Sequence, residues 1–259
     1  MQQPLVLITG ASSGIGQALA LHYLRQGARL ALMGRQVHVI KSCLEAHGIS
    51  ADSYYVYSAD VADSNSMAAA AKDCLARQGV PDVVIANAGI SIGMDSARRA
   101  DLDVMARILS TNVLGVAATF GPFIDAMVAR GSGTLVGIGS VAGIRGLPGH
   151  GAYCASKAAV ISYCESLRGE LRASGIKVVT ICPGYIDTPL TKNNRYTMPF
   201  LMQPEVFAAQ AVSAIEAGAS YQVIPWQMGV VAKLLRLLPN WLFDKLLAGR
   251  PRKPRQAGD

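Results

Sequence analysis

Short apolar runs recur along the chain and alternate with segments of helical periodicity. The seven runs that predict strands are Leu5 to Thr9, Arg29 to Met33, Ser53 to Ser58, Asp82 to Asn87, Gly133 to Gly139, Lys177 to Cys182 and Tyr221 to Ile224. Several, such as LVLI and VVTI, are continuously apolar, which is typical of strands covered on both faces by crossover helices. Helical segments such as Ile15 to Gln26 and Ala152 to Ala173 lie between them. The pattern predicts a doubly wound α/β fold around a parallel seven-stranded sheet.

The alternation of strands and helices becomes irregular after residue 188. No linker or internal repeat divides the earlier part, so we expect one domain over residues 1–225. Prolines interrupt residues 188–204, which predicts a long surface loop that could serve as a lid. Residues 226–259 predict an amphipathic extension of two helices broken near Pro239, followed by a basic tail.

The extension has a polar and an apolar face. On a helical wheel the polar positions fall within about 80° of one another. They are Lys233, Arg236, Asn240 and Asp244, opposite Val231, Leu234, Leu235, Leu238, Leu242 and Leu246. Three uses of the apolar face remain open: covering the protein's own substrate channel, packing against another subunit, or lying in a membrane interface. In the last case Trp226, Trp241 and the basic tail would lie near lipid headgroups.

Composition narrows the function classes. The chain has 259 residues, of which 51 % are apolar and 16 % are charged, so a globular protein is expected and a coiled coil or a disordered chain is not. The net charge is +7, but four of the basic residues crowd the last ten positions: Arg250, Arg252, Lys253 and Arg255. Without a basic stripe or interleaved aromatic residues, a nucleic-acid partner is not expected.

Cysteine and histidine usage points away from disulfides and metals. The cysteines, Cys43, Cys74, Cys154, Cys164 and Cys182, are odd in number and form no C-x-x-C pair, which fits a reducing compartment. The histidines, His22, His38, His47 and His150, have no ligand-like spacing, and only His150 has an alternative as a substrate gate. With no basic leader and no uncharged apolar run of about 18 residues, we expect a cytoplasmic protein without a spanning helix.

The first strand ends in the glycine-rich sequence TGASSGIG, which can bind a dinucleotide. Gly10 permits a tight turn, Gly14 lets the backbone approach a diphosphate, and Gly16 allows close helix packing. The N-terminus of the following helix offers free N–H groups and a positive dipole, and Ser12 and Ser13 add hydroxyl donors. A merely sharp strand-to-helix turn is the alternative.

The end of the second strand bears on the choice of cofactor. An acidic residue there would accept hydrogen bonds from a ribose 2′-hydroxyl, as in NAD-selective sites. The chain has Gly34 and Arg35 instead, and a guanidinium pairs with a 2′-phosphate, so NADP is favoured over NAD. The alternative for Arg35 is a solvated cation.

Tyr153 and Lys157 lie one helical turn apart and therefore on one helix face. A phenol has a pKa of about 10, and lowering it by three units requires about 4 kcal/mol. An ammonium about 4 Å away at an effective dielectric of about 20 supplies on the order of 4 kcal/mol. Tyr153 could therefore act as general acid and base, while Ser140, which follows a strand, holds the substrate oxygen. An ordinary amphipathic pair is the alternative.

Taken together, these motifs resemble the short-chain dehydrogenase/reductase superfamily of the TGxxxGxG and YxxxK type, from Leu5 to about Leu190. The resemblance implies a Rossmann-type fold. It also implies that Asn112 anchors a water in a proton relay with Lys157, completing a tetrad with Ser140 and Tyr153. The implied cofactor-binding residues are Gly10, Ser12, Ser13, Gly14, Ile15, Gly16, Arg35, Asp60, Val61, Asn87, Ala88, Gly89, Tyr153, Lys157, Pro183, Gly184, Ile186 and Thr188. Within this set, Asp60 and Val61 would contact the adenine, and Pro183 to Thr188 the carboxamide.

The resemblance implies hydride transfer between a nicotinamide and a carbonyl carbon, with Tyr153 protonating the oxygen and Lys157 binding the ribose. It also implies a homodimer or homotetramer that pairs through helices four and five. The apolar lid residues Met198, Phe200, Leu201 and Met202 favour a fairly apolar ketone or secondary alcohol. Two alternatives remain for Lys192 and Arg195: they are solvated surface residues, or they contact an anionic group. Two alternatives are a catalytically silent nucleotide-binding sensor or scaffold and, less favoured by the chain length, a dehydratase or epimerase.

Overall fold

The computed structural model describes residues 3–192, 194, 196–249 and 251–255. Its strands form one parallel sheet in the order β3-β2-β1-β4-β5-β6-β7. The strands are β1 (Leu5–Thr9), β2 (Arg29–Gly34), β3 (Tyr54–Ser58), β4 (Val83–Ala86), β5 (Gly133–Ile138), β6 (Ile176–Pro183) and β7 (Tyr221–Ile224). The helices are α1 (Gly14–Arg25), α2 (Val37–Ala46), α3 (Ser64–Arg77), α4 (Asp101–Leu109), α5 (Gly115–Arg130), α6 (Gly151–Leu171), α7 (Pro204–Glu216), α8 (Trp226–Leu237) and α9 (Asn240–Leu247).

The sheet is covered on both faces, as its continuously apolar strands predict. On one face Leu19 and Phe207, from α1 and α7, pack against strand residues such as Val6 and Ile181. On the other face Phe120 and Phe123 of α5 pack with Leu7 and Val178. All of these side chains are fully or almost fully buried. The predicted doubly wound, Rossmann-type fold is confirmed.

The strand order fixes where a ligand can bind. The chain first winds from β1 outward to β3 and then returns to β4 on the other side of β1. At such a reversal the two neighbouring crossovers diverge and leave a crevice at the carboxyl ends of the strands. The glycine-rich turn after β1 lies at this edge of the sheet.

Helices α4 and α5 continue into each other through a π-helical turn, Ser110–Leu114. By length and hydropathy alone, the 30-residue helix Asp101–Arg130 could cross a membrane, which the sequence analysis did not predict. In the fold, its apolar side chains Phe120, Phe123 and Met127 are fully buried in the core. The same helix supplies Asn112 at the π-helical turn.

The two helices predicted after the last strand are present and are separated at Leu238 and Pro239. Their predicted apolar face is wrong in part, because Leu234 and Leu246 are exposed. Met228, Ala232 and Phe243 are buried instead. The domain core sets this rotation of the helices: Met228 packs with Val223 of β7, and the Arg145 guanidinium lies 3.8 Å from the Phe243 ring centroid.

Candidate active site

A cleft of about 1040 Å³ opens at the carboxyl ends of the strands. Every residue predicted to hold the cofactor lines it, from Gly10 in the first turn to Thr188 after β6. Ser140 lines the same cleft, whereas Asn112 is fully buried behind its wall. Segments far apart in the sequence therefore meet at one place.

The glycine-rich turn has the backbone that its sequence requires. Gly10 and Gly14 have φ of 71° and 55°, which side-chain-bearing residues rarely adopt. A Cβ on Gly16 would clash with the Gly10 carbonyl oxygen, so this glycine lets α1 approach the turn. The amide Nδ2 of Asn87 donates to the carbonyl oxygens of Thr9 (2.9 Å) and Gly10 (3.2 Å), which links the turn to the segment after β4. The turn leaves the first N–H groups of α1 facing a glycine-lined cradle, which fits a diphosphate.

Arg35 follows β2 at the far end of the cleft, where its side chain is 72 % exposed. The guanidinium lies 3.6 Å from the Asp60 carboxylate, which is itself 40 % exposed. An exposed ion pair of this length contributes little to stability. The weak contact with Asp60 therefore leaves the Arg35 guanidinium able to bind an anion that enters the cleft.

Ser140, Tyr153 and Lys157 are brought together by a turn packed on α6. Ser140 follows β5 and its hydroxyl accepts the Ala142 N–H at 3.1 Å, which starts the short 3₁₀ turn Val141–Gly143. A Cβ on Gly143 would lie 2.7 Å from the Lys157 carbonyl carbon, so only a glycine lets the turn approach the helix this closely. Tyr153 lines the cleft, and the Lys157 ammonium lies 5.9 Å from its ring centroid.

The electrostatics of the pair differ from the sequence expectation. Burial raises the pKa of Tyr153 to about 12, and hydrogen bonding to Ser140 lowers it only in part. Burial also lowers the pKa of Lys157 to about 8. The expected lowering of the Tyr153 pKa by the ammonium is absent, because desolvation dominates at both groups and Lys157 donates instead to the Ile138 carbonyl oxygen at 2.8 Å. Burial shifts both groups toward their neutral forms, although Lys157 still holds its proton below pH 8.

Asn112 links the helix carrying it to the segment after β4 and to α6. Its amide Nδ2 donates to the Ile90 carbonyl oxygen (2.9 Å) and the Ser156 hydroxyl (3.0 Å), and its Oδ1 accepts the Ile90 N–H (2.8 Å). A Cβ on Gly89 would lie 3.3 Å from Asn112 Oδ1 and 3.6 Å from Lys157 Nζ. Asn112 and Lys157 are therefore close neighbours, and π-helical turns such as this one are common at functional sites.

The predicted apolar lid does not line the cleft. Phe200 and Leu201 are 51 % and 44 % exposed, and Met202 pairs with Ile186 in an isolated bridge that holds this part of the loop near the end of β6. Neither Met198 nor Lys192 lines the cleft, and Arg195 lies outside the described residues. Leu190 and Tyr196, from the same loop, line the cleft instead.

Sequence reasoning missed two tyrosines of the cleft, Tyr185 and Tyr196, of which Tyr196 contacts His150. The Tyr196 hydroxyl lies 3.2 Å from His150 Nε2, and the rings of Tyr185 and Tyr196 are 6.1 Å apart. His150 is 7 % exposed, and burial lowers its pKa. The sequence could indicate that His150 lies near the cleft, because it precedes Tyr153 by only three residues. No spacing in the sequence indicated the same for Tyr196.

The basic tail also lies elsewhere than expected. Lys253, Pro254 and Arg255 line the cleft, where Lys253 is bonded to Ser91 and Leu190 and Arg255 is bonded to Asp101. Arg250 lies outside the described residues. The five cysteines form no disulfide, and the described part of the chain has no cluster of three or more potential metal ligands.

Comparison with known proteins gives consistent relatives. The short chain dehydrogenase family profile matches residues 4–199. An uncharacterized oxidoreductase from Myxococcus xanthus is 38 % identical over 247 residues, covering 94 % of this chain and 96 % of that protein. The dehydrogenase/reductase SDR family member 7B of Bos taurus is 32 % identical over 99 % of this chain and 84 % of its own length. Among solved structures, the alcohol dehydrogenase of Thermococcus sibiricus, complexed with 5-hydroxy-NADP, has a TM-score of 0.75 and 25 % identity, covering 86 % of this chain and 96 % of that one.

Proposed function

The chain belongs to the short-chain dehydrogenase/reductase family and is an oxidoreductase acting on CH–OH groups; from that premise, we propose that it transfers a hydride between NADP(H) and a ketone or secondary alcohol of fairly apolar character. Tyr153 is the general acid and base in this proposal. The observation that carries it is the meeting of Ser140, Tyr153, Lys157 and the glycine-rich turn at one cleft.

The nicotinamide, when bound, supplies the hydride chemistry. The glycine turn and the N-terminus of α1 would hold the diphosphate of the dinucleotide, and Lys157 would bind its nicotinamide ribose. Ser140 orients the substrate oxygen with its hydroxyl. Tyr153 keeps its proton at neutral pH, because burial raises its pKa to about 12, and it can therefore donate that proton to a developing alkoxide. Asn112 holds α6 against the segment after β4, which positions Tyr153 and Lys157.

The test is to follow NADPH absorbance while the purified protein is given apolar ketones, aldehydes and quinones. Oxidation of NADPH that depends on a ketone and is reversed by the matching alcohol supports the proposal. Tight NADPH binding without turnover on any member would favour the silent sensor or scaffold instead. The matched control is the Tyr153→Phe variant, which keeps the ring in the cleft but lacks the hydroxyl that donates the proton.

NADP preference rests on Arg35 and on the lack of an acidic residue beside it at the end of β2. Arg35→Ala should weaken NADPH binding about tenfold or more and leave NADH binding nearly unchanged, since a charge-assisted pair with the 2′-phosphate is lost. Fluorescence titration with both cofactors measures this. Arg77→Ala, which removes an exposed arginine paired with Asp73 outside the cleft, is the control. Equal losses for both cofactors would contradict the phosphate role.

The remaining proposals concern the whole protein. We propose residues 1–225 as the catalytic domain and 226–259 as its extension, and a cytoplasmic protein that forms a homodimer or homotetramer. Exposed apolar residues on the long helix, including Leu102 and Leu114, support self-association. The exposed side of α8 and α9 supports peripheral contact with a membrane.

A further inference from the structure

Residues 251–255, here termed the C-terminal strap, lie against the cleft. The strap runs beside the segment after β4, where the Gly93 N–H donates to the Pro254 carbonyl oxygen at 3.2 Å and Gly93 pairs with Arg255. The Lys253 ammonium donates to the Ser91 hydroxyl and to the Leu190 carbonyl oxygen, each at 3.0 Å. Ser91 follows β4 and Leu190 follows β6, so this one side chain connects two walls of the cleft.

The domain has features that accommodate the strap. A Cβ on Gly93 would lie 2.6 Å from the Pro254 carbonyl oxygen and would clash with the Lys253 carbonyl oxygen. A Cβ on Gly149 would lie 2.9 Å from the Cβ of Arg252. Arg255 makes two hydrogen bonds of 2.8 Å with the carboxylate of Asp101, a residue only 4 % exposed, and these bonds help to lower the pKa of Asp101 to about 2. The strap is therefore held at a defined position.

Lys253 brings a positive charge into the cleft without a matching negative one. Both of its hydrogen-bond acceptors are neutral, and it forms no ion pair with any carboxylate that the structure describes. Asp101, the acid that the strap contacts, is engaged by Arg255. Burial without a partner lowers the pKa of Lys253 to about 8. A bound anion would relieve this cost.

The position of Lys253 points to the substrate rather than to the cofactor phosphates. The strap residue Arg252, next to Lys253, lies against Gly149, which is followed by His150; His150 directly precedes α6 and lies three residues before Tyr153. His150 contacts Tyr196, another cleft residue. The proposed diphosphate site is at the glycine turn, and the 2′-phosphate is assigned to Arg35. The strap therefore meets the cleft on the side that carries His150 and Tyr196.

We propose that Lys253 binds an anionic group, such as a carboxylate, on the molecule that is oxidised or reduced. The substrate is then an amphiphilic oxo or hydroxy compound with an apolar body and an anionic end. This inference rests on the proposed function, because it takes the cleft near Tyr153 as the substrate site.

The experiment uses the full chain saturated with NADP⁺, so that no turnover is needed. Straight-chain carboxylates of four to twelve carbons and their methyl esters are titrated by calorimetry. The wild type should bind at least one carboxylate about tenfold more tightly than its ester, and Lys253→Gln should remove that preference. Lys253→Arg should restore most of it. Lys245→Gln, an exposed lysine on α9 outside the cleft, is the matched control, and thermal melting checks that each variant is folded.

Three outcomes overturn the inference. They are a wild type that prefers no carboxylate over its ester, a preference that survives in Lys253→Gln, and a Lys253→Gln variant whose main loss is in NADPH affinity. The last would assign the ammonium to a cofactor phosphate. Failure of the proposed function appears separately, as the lack of carbonyl-dependent NADPH oxidation, while ligand binding to the NADP⁺-loaded protein still reports on Lys253.

Discussion

Lys157 is buried and Tyr153 is partly buried at the wall of the cleft, and desolvation moves their pKa values in opposite directions. The phenol keeps its proton more firmly than in water, and the ammonium loses its own more readily. For reduction of a carbonyl, a protonated phenol is the required form. In the structure, the Lys157 ammonium is bound to the Ile138 carbonyl oxygen and does not lower the pKa of Tyr153.

Tyr153→Phe removes only the hydroxyl that carries the proton. Turnover should fall by at least about 100-fold, as expected for the loss of a general acid, while NADPH affinity changes little. Steady-state rates and fluorescence titration measure the two effects. Tyr163→Phe is the control, because that residue lies on the same helix but packs with the core rather than lining the cleft. Retained turnover in Tyr153→Phe would refute the assignment.

Burial of Lys157 makes a prediction about stability and pH. Its pKa is about 8 in the folded protein and 10.5 without the fold, so below pH 8 both states hold the proton and the folded state bears the full burial cost. As pH rises above 8, the folded state releases the proton first and the cost declines. Lys157→Met should therefore stabilise the protein more at pH 7 than at pH 9, by about 1 kcal/mol.

Urea unfolding of the wild type and Lys157→Met at the two pH values gives this difference. Other ionisable groups, including Lys253, are common to both proteins and cancel in the comparison. A stability gap that stays constant between pH 7 and pH 9 would contradict the burial of an ammonium at this position.

Among the elements, α8 and α9 depend on one arginine from the domain. Arg145 donates to the carbonyl oxygens of Leu235 and Leu238, the latter at 2.8 Å, and to Asn240 Oδ1 at 3.1 Å. It therefore satisfies the Leu238 carbonyl oxygen, just past the end of α8, and is a second donor to the Leu235 carbonyl oxygen, which also accepts the Leu238 N–H. Its stacking on Phe243 fixes α9 as well.

Arg145→Ala should loosen this extension without unfolding the sheet. Loss of these hydrogen bonds and of the stacking should cost about 1–3 kcal/mol locally. Hydrogen exchange should then speed up by about tenfold or more over residues 226–247, with the amides of β1 and β5 unchanged. Arg236→Ala, an exposed arginine on α8, is the control. Equal exchange in Arg145→Ala and the wild type would show that the extension is held by other contacts.

The elements differ in how well the sequence predicts them. The bounds of β1 and β7 are as expected, because apolar runs flanked by polar residues have few other solutions. Strand β6 extends to Pro183, beyond the predicted Cys182, since it pairs with both β5 and β7. The buried face of α8 could not be predicted from its own periodicity. Because leucines occur on several sides of that helix, its periodicity does not single out one face. The contact of Met228 with Val223 of β7 determines which side packs against the domain.

At the scale of the whole molecule, motifs located most of the cleft, and tertiary contacts supplied the rest. Gly10, Asn87 and Thr188 are recognisable locally, and the switch of strand order brings them together. Tyr196 and Lys253 reach the cleft through long-range contacts, from a loop and from the strap. Residue types and spacing carry no information about such contacts. The pKa of Tyr153 depends on burial, which likewise only the assembled fold defines.

The outer side of α8 and α9 exposes large apolar side chains beside basic ones. Leu237, Trp241 and Trp226 are 81 %, 70 % and 66 % exposed, with basic neighbours at Lys233, Arg236 and Lys245. A surface of tryptophan, leucine and lysine suits an anionic membrane interface. Lys233, Arg236 and Lys245 would attract anionic headgroups electrostatically, and salt should weaken this attraction.

The protein should therefore sediment with vesicles containing anionic lipid at low salt and release when salt is raised. Replacing both Leu237 and Trp241 with serine should weaken binding at least about tenfold, because two large apolar side chains are lost from the interface. Val206→Ser, at an exposed position on α7, is the control. If vesicles do not bind the wild type at low salt, the membrane proposal is wrong. Light scattering gives the oligomeric state of the wild type and of the double variant. If the wild type is an oligomer and the double variant is not, this apolar face joins copies of the chain instead of binding lipid.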